Sequence, residues 1–166
     1  MDIVFEGTDN TGKSTLITKV FNVSDRAIIQ SEGPERFPGE IDERILRYAN
    51  LSRYLIYDRH PAISETIYGP IIRGSSGPSS RAIQTFYETK PLLVYCRPAM
   101  GRDNLTGHVI NPLIDTIDHM NGVVEHYQEI LVQYDQWALQ HAHLLYRIGD
   151  DVTQLINSIM GILKND

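Results

Sequence analysis

Cysteine is almost missing from this 166-residue chain. Cys96 is the only one, so no internal disulfide framework exists, and a reducing compartment is expected. Long apolar runs are missing as well, which excludes a membrane-spanning helix. The opening Met1-Asp2-Ile3 has neither a basic segment nor an apolar leader core. Secretion is therefore not expected, and a cytoplasmic site is. Positive charge is in deficit. Fifteen Lys+Arg against 21 Asp+Glu leave a formal net charge of −6. Such a chain is a poor general binder of nucleic-acid backbone, which needs a basic surface. A local basic pocket for a small phosphorylated ligand remains compatible with that charge. Repeats and low-complexity tracts are absent. The remainder, 42% hydrophobic and 22% charged, has the composition of a folded chain of single-domain length.

Short apolar runs alternate with helical patterns. Ile3-Val4-Phe5, Ala27-Ile28-Ile29, Tyr54-Leu55-Ile56-Tyr57, Leu92-Leu93-Val94-Tyr95 and Leu144-Leu145-Tyr146-Arg147-Ile148 read as five strands. Leu16, Val20 and Phe21, then Ile41, Ile45, Leu46 and Ala49, recur at helical spacing. Arg81 to Glu88 reads as a further helix, and Val123 to Trp137 carries one long apolar stripe. Val152, Leu155, Ile156, Ile159 and Leu163 form a terminal amphipathic helix. Strands without polar alternation are those buried on both faces, so a five-stranded parallel sheet with helices on both sides is expected. Gly74 to Ser80 and Arg97 to Pro112 are irregular, but neither reads as a domain boundary. One domain spanning residues 1–166 is the expectation.

The sharpest signal is Gly7-Thr8-Asp9-Asn10-Thr11-Gly12-Lys13-Ser14-Thr15, a G-x-x-x-x-G-K-[ST] loop between a strand and a helix. Gly7 and Gly12 let successive N–H groups curl around one anion. The helix beginning near Lys13 adds its positive end. Lys13 supplies a point charge for the β/γ phosphates, and the Ser14 hydroxyl is a Mg²⁺ ligand type. A second signal is the strand ending in Asp58-Arg59. A carboxylate at the carboxyl end of such a strand is placed to hold Mg²⁺ in phosphate-loop proteins. Arg59 can clamp phosphate oxygens with a fork. The structural alternative for the pair is a plain ion pair at a strand end.

Phe5-Glu6-Gly7-Thr8-Asp9-Asn10-Thr11-Gly12-Lys13-Ser14-Thr15 resembles the loop of the thymidylate kinase family, F-E-G-x-D-G-x-G-K-[ST], with Asn10 in place of a Gly. Asp58-Arg59-His60 followed by Ser64, Tyr68 and Arg73-Gly74 is similar to the family's second motif, with one extra residue between His60 and Ser64. The resemblance implies a P-loop kinase three-layer sandwich that transfers the ATP γ-phosphoryl group to a deoxynucleoside 5′-monophosphate, dTMP or a related pyrimidine. It implies that Gly7, Asn10, Thr11, Gly12, Lys13, Ser14, Thr15 and Arg97 contact ATP, and that Ser14 and Asp58 hold Mg²⁺. Asp9, Glu32, Ser64, Tyr68 and Arg73 fall in the acceptor region. Where the family carries Arg-Glu-Pro-Gly, this chain has Ser31-Glu32-Gly33-Pro34-Glu35-Arg36-Phe37-Pro38-Gly39. Ser31 replaces the family's phosphate-gripping Arg, and a shifted reading offers Arg36 instead. A short lid around 97–112 would bring Arg102 over ATP beside Lys13, Asp58 and Arg59. The family also implies a homodimer.

Two other classes compete. A deoxynucleoside kinase needs a carboxylate base after the second strand, and Glu32 is placed for it. A nucleotide-binding switch needs no acceptor site, although no guanine-reading N-K-x-D occurs here. His119, His126, His141 and His143 lack metal-ligand spacing and read as structural. Cys96 reads as a buried strand-end thiol.

Overall fold

A computed structural model describes residues 1–52, 54–99 and 117–165, the side chains of 117–120 excepted. Five strands, β1 (Ile3–Glu6), β2 (Ala27–Gln30), β3 (Leu55–Asp58), β4 (Leu92–Arg97) and β5 (Leu144–Arg147), form one sheet. The order is β2-β3-β1-β4-β5, and every pairing is parallel. Between and after them lie α1 (Lys13–Phe21), α2 (Glu40–Ala49), α3 (Pro61–Tyr68), α4 (Ser80–Glu88), α5 (Ile117–Glu125), α6 (Tyr127–His141) and α7 (Val152–Lys164).

The uniform apolar strands are explained by two cores. Ile3, Phe5, Ile56, Leu92 and Val94 face Leu16, Ile17 and Val20 of α1 and Leu155 and Ile159 of α7. Val4, Leu55, Tyr57, Leu93 and Tyr95 face the other way, onto residues of α2, α3, α4 and α6. Successive side chains point to opposite sheet faces, and here both faces are covered. A three-layer α/β sandwich results. No helix among the described residues is long and apolar enough to cross a membrane.

One segment departs from the expectation. The Val123–Trp137 stripe belongs to two helices, because His126 (φ −101°, ψ 15°) leaves helical geometry between α5 and α6. The stripe nevertheless stays on one side, with Val123, Tyr127, Ile130, Leu131 and Tyr134 all buried. Past α3 the chain widens into a π-helical turn over Gly69–Arg73. Pro70 lies at its start and has no N–H to give a regular helix.

Candidate active site

β1 delivers the chain to Gly7 at the carboxyl edge of the sheet. Gly7 has φ +141°, and a Cβ there would lie 2.0 Å from the Cys96 carbonyl oxygen. Only glycine fits so close an approach. Asn10 (φ +58°) takes the left-handed conformation that its short amide side chain tolerates. Gly12 (φ +74°) caps α1 without any side-chain bond, leaving the first N–H groups of the helix directed at the loop interior. Lys13 is 7% exposed, and its ammonium donates to the Thr8 carbonyl at 2.8 Å, the Gly7 carbonyl at 3.2 Å and Thr11 Oγ1 at 3.3 Å. Burial pulls its pKa down, and the neighbouring Arg59 adds to the effect.

A cavity of about 280 Å³ opens over this loop, lined by Asp9 to Thr15 together with Asp58 and Arg59. Ser14 Oγ donates to Asp58 Oδ2 across it at 3.4 Å. A hydroxyl and a carboxylate side by side are hard oxygen donors of the kind Mg²⁺ takes alongside nucleotide phosphates and water.

Arg59 follows Asp58 with φ +64°, a conformation that costs a non-glycine residue of order 1–3 kcal/mol and persists where the surroundings enforce it. They do so here. Its N–H donates to the Phe5 carbonyl at 2.9 Å, and its guanidinium donates to Asp9 Oδ1 at 2.8 Å, Tyr68 Oη at 3.2 Å and the Gly7 carbonyl at 3.3 Å. Tyr68 Oη donates in turn to Asp9 Oδ2 at 3.4 Å. Burial disfavours the Arg59 charge, but Asp9, Tyr68 and Tyr134 together outweigh it and carry the guanidinium pKa well above its ordinary value. Asp9, Arg59 and Tyr68, assigned from two separate motifs, thus form one cluster.

A narrow cleft adjoins the phosphate cavity. Its walls include Ser31 and Glu32 after β2, Arg44 of α2, Arg59, and Ser64 and Glu65 of α3. Glu32 accepts hydrogen bonds from Arg47 at 2.5 Å and from the Tyr48 hydroxyl, with Arg44 3.7 Å away. Ser64 turns its hydroxyl to the His60 carbonyl at 3.2 Å. Arg73 pairs with Glu65.

Other expected residues lie apart. Arg36, 71% exposed, pairs with Glu40. Arg36 and then Arg44 hold the Glu40 carboxylate down at about 2 against the opposing effect of burial. Arg97 donates to Asp135 at 2.9 and 3.0 Å and lines a different cavity, between β5 and α6, rather than the phosphate loop. Arg102, and the 100–112 portion of the expected lid, lie outside the described residues.

Four residues escaped the sequence reading. Arg44 is 3% exposed and donates to the Gly33 and Pro34 carbonyls at 2.6 and 3.1 Å, shaping the loop that presents Glu32. Its signal was available, since it falls within the apolar stripe Ile41, Ile45, Tyr48. Glu6, the last residue of β1, is fully buried beside the loop. Tyr134 donates to Glu6 Oε2 at 2.9 Å, and Tyr127 shares a hydrogen bond with Thr8 Oγ1 at 3.0 Å. These two tyrosines read only as core aromatics, because their polar ends cannot be distinguished from sequence.

No protein-family model and no curated protein matches this sequence. Solved structures do. The YorR protein from Bacillus subtilis, in complex with phosphorylated GDP, matches with a TM-score of 0.72 at 17% identity, over 99% of this chain and 96% of that one. Deoxyadenosine kinase from M. mycoides with the products dCMP and a flexible dCDP bound matches with a TM-score of 0.55 at 16% identity, over 99% of each chain. The same kinase with bound dATP matches with a TM-score of 0.51. These likenesses show a fold shared with a nucleotide-bound protein and with a deoxynucleoside kinase.

Proposed function

We propose that this chain transfers the γ-phosphoryl group of ATP to a deoxynucleoside 5′-monophosphate, dTMP or a related pyrimidine nucleotide. The observation that carries the reading is the position of Arg59. It lines both the phosphate-loop cavity and the adjoining cleft, so its guanidinium stands where a donor and an acceptor phosphate would meet. The named solved neighbours, which hold nucleotides and nucleoside mono- and diphosphates, agree with a nucleotide kinase.

Transfer forms a bond from an acceptor phosphate oxygen to the γ-phosphorus and breaks the bond to the β–γ bridging oxygen, releasing ADP and a nucleoside diphosphate. The attacking oxygen is already anionic, so no general base is required. The protein's task is alignment and charge neutralisation. Gly7 to Thr15 would cradle the donor phosphates with backbone N–H groups, and Lys13 would turn from the loop carbonyls to the β/γ oxygens. Ser14 and Asp58 would hold Mg²⁺, which supplies charge neutralisation at the phosphates. Arg59 would bridge the two anions. Asp9, fixed by Arg59 and Tyr68, would orient the acceptor sugar, and Arg73 the base. Arg36 would grip the acceptor phosphate by exchanging Glu40 for it, with Arg102 closing over ATP from the lid. Arg36→Ala is then expected to raise the acceptor KM about tenfold while leaving kcat within about threefold, the pattern of a lost uniform binding contact.

A second reading, a deoxynucleoside kinase with Glu32 as base, has one observation behind it: Glu32 lines the same cleft as Arg59. Turnover assays separate the two readings. Mg²⁺-ATP with monophosphates tests the first, and with nucleosides the second. Glu32→Gln abolishes the second activity, and under the first it changes the acceptor KM rather than removing turnover.

A further inference from the structure

Among the described residues, Glu6 is the one fully buried carboxylate next to the phosphate loop that the proposed chemistry does not use. It is 0% exposed and lies one residue before Gly7. Its two oxygens are separately occupied. Oε1 accepts the His60 backbone N–H at 2.6 Å, and Oε2 accepts the Tyr134 hydroxyl at 2.9 Å. His60 immediately follows Arg59, whose own N–H is bonded to the residue before Glu6, Phe5. The strained Arg59 backbone is therefore clamped on both sides, by the Phe5 carbonyl and by the Glu6 carboxylate. Tyr134 belongs to α6, whose Tyr127, seven residues earlier on the same face, bonds Thr8 of the loop. One helix thus supports both the loop and the clamp.

We propose that Glu6 is a positioning residue: its carboxylate, anchored by Tyr134, holds the His60 N–H and so keeps the left-handed Arg59 turn, and the Arg59 guanidinium with it, between the two cavities. The functional part rests on the reading of Arg59 in phosphoryl transfer, and the structural part does not.

Charged and titratable groups surround this carboxylate. Burial raises its pKa to about 7, against the His60 N–H bond, Arg59, the Tyr134 hydroxyl and Lys13, which all favour the ionised form. Tyr68 of α3 and Tyr134 of α6 feel its charge, as do Tyr87 of α4 and Cys96 of β4. His60 does not titrate in this range, because burial pushes its imidazole down to about 3. Ionised Glu6 accepts both hydrogen bonds with charge assistance, whereas protonated Glu6 turns its O–H to the Tyr134 hydroxyl and offers the His60 N–H only a neutral, weaker acceptor.

The test compares wild type, Glu6→Gln and Glu6→Leu by amide NMR and by kinetics from pH 5 to 9. In wild type the His60 amide resonance titrates, and kcat falls on the acid side with the same midpoint. In Glu6→Gln the amide no longer titrates. This variant keeps an acceptor for His60 and retains at least about a third of kcat. Any acid limb it shows belongs to the acceptor phosphate. Glu6→Leu leaves His60 N–H unpaired and loses about a hundredfold in kcat with the ATP KM within about threefold, the size of effect a small misplacement produces. Should Glu6→Leu fail to fold, the wild-type and Glu6→Gln amide titrations decide alone. A His60 amide insensitive to pH in wild type, or a Glu6→Leu enzyme as fast as wild type, overturns the proposal. A titrating His60 amide in a wild-type protein that phosphorylates no acceptor leaves the clamp standing and removes the proposed activity.

Discussion

Arg59 reaches Asp9 at 2.8 Å from a backbone held at φ +64°. Asp9 comes from the phosphate loop and Arg59 from the end of β3, so the ion pair ties two segments about fifty residues apart into one site. Both side chains are mostly enclosed, at 19% and 24% exposure, and the pair is therefore less screened than a surface bridge.

Arg59→Lys keeps the charge and the backbone conformation but loses the fork that serves Asp9, Tyr68 and Gly7 at once. We expect kcat to fall about a hundredfold, as when one transition-state donor is removed. The melting temperature should stay within a few degrees. A kcat within threefold of wild type would remove Arg59 from the reaction.

The two loop glycines should respond differently to alanine. At Gly7 the new Cβ meets the Cys96 carbonyl oxygen at 2.0 Å, and nothing flexible can yield. Gly7→Ala should cost more than about 4 kcal/mol and leave little folded protein. At Gly12 the nearest atom is Ile148 Cγ1 at 3.5 Å, an ordinary contact, so the left-handed backbone alone costs about 1–2 kcal/mol. Gly12→Ala should fold, as circular dichroism melts would show, and bind ATP more weakly.

Lys13→Ala removes an ammonium bonded to two loop carbonyls and Thr11. Transfer should fall about a thousandfold, the upper range for a lost electrostatic contact, with an unchanged circular dichroism spectrum. Loss of the folded spectrum would make Lys13 a structural residue.

Stability should depend on pH through Glu6 with a definite sign. Its pKa rises from 4.5 to about 7 on folding, so the fold favours the protonated form. Glu6's stabilising contribution is complete below pH 4.5 and is lost as pH rises through about 7, a change on the order of 3 kcal/mol. His60 acts oppositely, its pKa falling from 6.5 to about 3; its contribution is present above pH 6.5 and lost as pH falls toward 3. The two slopes overlap, so urea melts of wild type and Glu6→Gln compared at each pH isolate Glu6. Their difference should shift against wild type between pH 5 and 8. Parallel curves would contradict the burial of this carboxylate.

The strand pattern was legible because a sheet covered on both faces demands apolar residues at every position, and Ile3-Val4-Phe5 or Leu92-Leu93-Val94-Tyr95 satisfy nothing else so well. The loop was legible because glycine at Gly7 and Gly12 and lysine at Lys13 are each required by backbone shape or charge. Arg44 and Glu6 were harder to place. Each sits in an apolar context, and only tertiary packing shows which backbone groups their charges meet. The break at His126 was hidden for another reason: the apolar stripe runs through it undisturbed, so periodicity alone joins α5 to α6. The partner of Arg97, Asp135, lies 38 residues away on α6, beyond any local pattern.

The most direct test of the central claim is acceptor-dependent ADP release by purified protein with Mg²⁺-ATP, across a panel of deoxynucleoside monophosphates and deoxynucleosides. The account predicts turnover with a pyrimidine monophosphate and none with nucleosides. Turnover with nucleosides alone would contradict it and assign Glu32 as the base, and no acceptor-dependent ADP at all would contradict phosphoryl transfer itself.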